Sequence, residues 1–142
     1  MNTVAQSQEG RSAGKGINVG DRGAILLMLY NAAIELLEEA KISIEQGDVW
    51  EKGAHISQTH TIISELLASL DVEIGGEVAR NLEALYLFML DQLFAANLNN
   101  DAKPLDVVLS LLRTLYRGWE EAVTAERLRV AQEYNRRSEV AA

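Results

Sequence analysis

The chain has 142 residues, 48% of them apolar, no cysteine and a formal net charge of -8. That length and apolar content suit one domain with a full core, while the absence of thiols excludes disulfides, thiolate metal sites and cysteine catalysis and is compatible with a reducing cytosol. The acidic balance argues against a general nucleic-acid binder, because a phosphate backbone would be repelled over most of the surface. The longest apolar run, Ala24 to Tyr30, is far too short to span a bilayer, so no membrane insertion is expected. The polar N-terminus lacks the apolar stretch of a signal peptide, which argues against Sec-type secretion.

Residues 1–20 are poor in apolar side chains and rich in Gly, Ser, Gln and Asn, and are expected to be a flexible segment. Within them, Gly10 to Gly16 superficially suggests a phosphate loop, but the spacing is one residue short and no Ser or Thr follows Lys15. Asp21 is expected to cap a first helix with Ile25, Leu26, Met28, Leu29, Ala33, Leu36, Leu37, Ala40 and Ile44 on its apolar face, ended by Gly47. Asp48 then caps a second helix, with Glu51 at capping-box spacing and a stripe of Ile56, Thr59, Ile63, Leu66, Leu67 and Leu70.

Gly75-Gly76 reads as a hinge, and Glu77 carries the negative charge that favours a helix N-terminus. Val78, Leu82, Leu85, Met89, Leu93 and Ala96 follow at steps of three and four, and Asn97 to Asn100 closes this third helix. A fourth helix opens at Pro104 behind Asp101, with Leu105, Val108, Leu112, Leu115, Trp119 and Ala122 as its stripe. Ala125 to Arg137 either extends that helix or makes a short fifth. No period-two strand pattern of useful length occurs. The expected fold is therefore all-α, an antiparallel up-and-down four-helix bundle spanning 21–124, followed by a basic helical extension or tail, 125–142.

Little in the chain supports catalysis. His55 and His60 are five residues apart, roughly 140° around a helix, and neither belongs to the Glu-x-x-His pairs of bundle di-metal sites. Glu51 and His55 read as a surface pair, and Glu35, Glu38 and Glu39 as a solvated face. Ser57, Ser64 and Ser110 have no identifiable base. No catalytic, metal or cofactor residue is assigned.

The chain has apolar helical surface in excess. Leu87, Leu90 and Phe94 lie off the main stripe of the third helix at helical spacing, and Val107 and Leu111 lie beside the core line of the fourth. Such residues either widen a core contact or leave a groove for amphipathic helices.

Several runs then carry a family resemblance: Leu27-Met28-Leu29-Tyr30-Asn31-Ala32-Ala33-Ile34, Ile44-Glu45-Gln46-Gly47-Asp48-Val49, Lys52-Gly53, Ile62-Ile63-x-Glu65-Leu66, Leu70-Asp71, Ile74 to Tyr86, Ala96-Asn97-x-x-Asn100-Asp101 and Trp119. Each motif alone is weak. Their ordered combination, over about Ile25 to Ala122, resembles FliS, the flagellin-specific secretion chaperones of bacterial flagella. The resemblance implies a cytoplasmic, non-enzymatic bundle that binds the disordered C-terminal segment of flagellin in apolar grooves, delays filament assembly and holds the subunit for the flagellar export apparatus. On this reading the surplus apolar residues and the second-helix stripe put the client groove at Ile56, Ile63, Leu87, Leu90, Phe94, Val107 and Leu111. The resemblance also implies a groove cap from the N-terminal segment, which here would rest on Val4, Ile17 and Val19.

The chain departs from the family where Tyr86-Leu87-Phe88-Met89-Leu90-Asp91 replaces a more polar run. Leu87 and Leu90 there point to a more apolar groove, a dedicated client or a homodimer surface. A helical-bundle adaptor or regulatory protein with a different amphipathic partner, engaged through Arg127 to Arg137, is the alternative.

Overall fold

The computed structural model describes residues 19–141. The expectations placed on earlier residues, a flexible segment, the phosphate-loop likeness and the cap from Val4 and Ile17, lie outside the described residues. Four helices account for nearly all of the described chain: α1 (Val19–Gln46), α2 (Val49–Ala68), α3 (Val72–Asn99) and α4 (Lys103–Ala141). Among the described residues there is no strand.

Local chemistry explains most of the boundaries. Asp48 accepts a hydrogen bond from the Glu51 amide at 3.1 Å and so satisfies an orphan donor at the start of α2. Asp71 does the same for Ile74 at the start of α3, also at 3.1 Å. Helix α3 therefore begins before the glycine pair, and Gly76, at φ 58 and ψ -132, kinks it one turn in, an angle that glycine adopts without a Cβ penalty. Asn100 ends α3 in the left-handed conformation, at φ 51 and ψ 41. The Asp101 carboxylate accepts from the Lys103 amide at 3.0 Å, just upstream of Pro104 in the first turn of α4. Asp21 lies inside α1, which already runs at Val19, so it does not stand before the helix as a cap. Ala125 to Arg137 continues α4 and makes no fifth helix.

The chain forms two compact units. In the first, residues 29–116, polar contacts define the helix order. Asn31 reaches Tyr116 at 3.3 Å, Glu38 pairs with Arg113, and Lys41 meets Asp106 at 2.6 Å, so positions rise along α1 as they fall along α4. The two are antiparallel. His55 on α2 lies 3.5 Å from Glu39 on α1, close to their shared turn, and α2 packs along α3. The up-and-down bundle is the architecture that short turns between amphipathic helices dictate.

The core of this unit is lined by Tyr30, Ala33, Leu37 and Ala40 of α1, Ile56, Thr59, Ile63 and Leu66 of α2, Ala79, Leu82, Tyr86, Met89, Leu93 and Ala96 of α3, and Leu105, Val108, Leu109 and Leu112 of α4. Two stripes depart from the spacing-based expectation at a few positions. On α3 Ala79 and Tyr86 join the buried line of Leu82, Met89, Leu93 and Ala96, while Val78 is exposed and Leu85 half-buried. On α1 Tyr30 is buried and Met28 exposed, and the Tyr30 and Tyr86 hydroxyls satisfy each other inside the core. Burial, and then the bond with Tyr30, pushes the Tyr86 phenol above its ordinary pKa.

The second unit contains the start of α1 and α4 from Arg117 onward. Gly23 lies against Val123, where an added Cβ would come within 2.5 Å of the valine side chain, so close approach requires glycine there. Ile25 and Ala122, expected on core stripes, are exposed.

Candidate functional site

The seven residues expected to form a groove separate into two groups. Ile56 and Ile63 are core residues of α2, at 4% and 0% exposure, since they stand on the line that also buries Thr59 and Leu66. Leu87, Phe94 and Val107 are exposed, at 49%, 70% and 41%, and Leu90 and Leu111 are half-buried.

On α3, Leu87, Leu90, Phe94 and the exposed Leu98 follow one another at steps of three and four, making an outer stripe beside the buried one. Its position relative to α2 follows from two contacts. Lys52, only 3% exposed, donates from Nζ to the Asn97 carbonyl at 2.9 Å and to the Asn100 side chain, binding the first turns of α2 to the last turn of α3. An added Cβ at Gly53 would meet Asn97 Oδ1 at 4.0 Å. Asn97 follows Leu90 by seven residues and so shares its side of α3. The stripe therefore lies on the flank of α3 that borders α2, and the antiparallel pairing sets Trp50 and Gly53 at its Leu98 end.

Sequence reasoning missed this α2 wall. Trp50 is 85% exposed, Val49 is exposed, and both line an open, mainly apolar depression with Gly53 and Ala54. The available signal was a tryptophan two residues after a capping aspartate and outside the Ile56 stripe, next to the Lys52-Gly53 pair. Beyond the depression the wall is polar, with Ser57, His60, Thr61 and Ser64, opposite the leucines and phenylalanine of α3, and His60 Nδ1 lies 3.4 Å from the Ser64 hydroxyl. Val107 and Leu111 occupy the outward side of α4, a separate element from this flank.

The setting is acidic. Between Leu29 and Tyr116 fourteen Asp and Glu stand against five Lys and Arg, and Asp48, Glu83 and Asp91 lie near the apolar flank. Lys52 adds no surface cation there, because its ammonium is buried on the α3 carboxyl end. Among the described residues no cluster of three or more His, Asp or Glu could hold a metal ion, and no helix is long and apolar enough to cross a membrane. His55 sits between Glu39 at 3.5 Å and Glu51 at 3.4 Å, contacts that link α1 to α2.

Fold and flank together give a small helical bundle with an exposed apolar flank beside its own core. The profile described as "Flagellar protein FliS" matches residues 5–126. The chain is 41% identical over 98 residues to the flagellar secretion chaperone FliS of Salmonella typhimurium, covering 68% of this chain and 73% of that protein. It is 37% identical over 97 residues to the FliS of Vibrio cholerae, covering 68% and 71%. With the flagellar secretion chaperone FliSB of Pseudomonas aeruginosa it shares 38% over 96 residues, covering 68% and 76%. The chain belongs to the FliS family of flagellar secretion chaperones, which is a chaperone family and not an enzyme family.

Proposed function

We propose that this chaperone acts in the cytoplasm on flagellin, holding its C-terminal segment as amphipathic helices on the outer α2/α3 flank until the export apparatus takes the subunit. The observation that carries the reading is the apolar stripe of exposed Leu87, Phe94 and Leu98 with half-buried Leu90, on the side of α3 that borders α2 at Trp50 and Gly53, in a member of a secretion-chaperone family. A subunit that polymerises through apolar helical faces must have them masked beforehand, and a bundle with a spare apolar face does so while ordering the bound segment. Val107 and Leu111 extend the contact onto α4, while Ile56 and Ile63 support the groove from the core beneath it. The end of the family match at residue 126 supports treating 125–142 as an extension of the chaperone domain.

Calorimetric titration with the C-terminal segment of flagellin from the same organism, followed by circular dichroism, tests the reading. One-to-one binding with gained helicity and a negative heat-capacity change is expected. A well-folded bundle that does not bind this segment overturns it and moves the flank to a different amphipathic partner.

A further inference from the structure

We propose that Trp50 and Gly53 form the anchoring end of the groove, where an amphipathic helix carrying Lys or Arg along the edges of its apolar stripe makes its closest approach to α2. The inference rests on the reading of the α2/α3 flank as the client surface and adds which residues grip the client and what chemistry the client presents.

Three observations converge on this end of the flank. Trp50 holds its ring in water at 85% exposure, in the first turn of α2, although a tryptophan gains most from burial and is the side chain most often used to anchor a partner. The depression it lines with Val49, Gly53 and Ala54 is open and mainly apolar.

Gly53 supplies the second observation. A helix-interior glycine costs about 1 kcal/mol relative to alanine. Among the described residues an added Cβ would meet only Asn97 Oδ1, at 4.0 Å, which is ordinary contact and does not demand glycine. Without a side chain at Gly53 the floor of the depression is bare α2 backbone, and a bound helix can come correspondingly close.

The third is charge. Asp48 caps α2 two residues before Trp50, and the unit as a whole carries fourteen carboxylates against five cations. An acidic surface around an apolar floor selects a helix with basic flanks over an acidic one.

The test uses the full chain with Trp119→Phe, which leaves Trp50 as the sole tryptophan of the two, and a synthetic C-terminal segment of flagellin from the same organism. Binding is followed independently by the fluorescence anisotropy of a dye on that segment. As the segment binds, Trp50 emission is expected to move to shorter wavelength and its quenching by acrylamide to fall in step with the anisotropy. Gly53→Leu, which fills the depression, is expected to weaken binding about tenfold or more while the melting temperature stays the same or rises. Raising the salt to about 0.5 M is expected to weaken binding several-fold. Binding seen by anisotropy with Trp50 emission unmoved and Gly53→Leu at full affinity would overturn the anchor and leave the client reading intact. No binding by the unsubstituted chain removes the client reading, and the anchor with it.

Discussion

Helix α4 is one continuous element, yet its two halves are held by different forces. From Lys103 to Tyr116 it buries Leu105, Val108, Leu109 and Leu112 in the bundle, and Arg113 and Asp106 tie it to α1. From Arg127 onward Leu128, Tyr134 and Val140 are exposed, and ion pairs run along the helix itself, Glu126 with Arg129, and Glu133 with Arg136 and Arg137. The first half is helical because its apolar face has partners; the second depends on intrinsic propensity and ion pairs at three- and four-residue spacing. Helical periodicity therefore establishes that a segment is helical without establishing what stabilises it.

The largest effect expected to separate the halves comes from matched leucine truncations. Leu112→Ala should cost about 2–5 kcal/mol in chemical denaturation, because it leaves a cavity in a closed core. Leu128→Ala should change stability by no more than about 0.5 kcal/mol. Equal losses at the two positions would show that the extension is buried against something and would remove the distinction.

A smaller effect sharpens the account of the bundle half. Tyr30→Phe takes away the hydrogen-bond partner of the buried Tyr86 hydroxyl and should cost about 1–3 kcal/mol. Because Tyr86 in the folded chain titrates above the ordinary phenol value, its contribution is complete below about pH 10 and is lost as the pH rises from there. Tyr86→Phe should remove that part of the alkaline loss, as measured by denaturation midpoints across the alkaline range.

The smallest effect belongs to the extension. The bond from Arg129 holds the Glu126 carboxyl below its usual range, and that from Arg136 does the same for Glu133. Their support is present above the ordinary carboxylate value and fades as the pH falls through the lower folded value. Amide exchange in residues 127–141 should accelerate under acid or in Glu133→Ala, with the exchange of residues 29–116 unchanged. Accelerated exchange throughout the bundle would show that the two halves are coupled.

Much of the architecture was legible in the chain. Asp48, Asn100 and Pro104 mark their helix ends by backbone chemistry that acts within a few residues, and the three- and four-residue spacing of Ile56, Thr59, Ile63 and Leu66 predicts the buried face of α2. The family was legible too, because its motifs keep their order along the chain. Of the candidate groove, Leu87, Leu90 and Phe94 were recognised as surplus to one stripe, whereas Trp50 and Gly53 were not, since nothing in the local spacing says that their side of α2 borders that stripe.

By itself, the sequence determined the helix ends at Asp48, Asn100 and Pro104 and that the apolar surface exceeds what one core needs, because capping and periodicity are short-range properties. Only the tertiary structure decided which of two adjacent apolar lines on α3 turned inward. Val78 and Ala79, like Leu85 and Tyr86, compete for the same role on grounds of spacing; Ala79 and Tyr86 are the buried pair, and the Tyr86 hydroxyl meets that of Tyr30, 56 residues apart in the chain. Leu87, Phe94 and Leu98 stay exposed on the side of α3 that borders α2, a juxtaposition of two helices that no local pattern encodes.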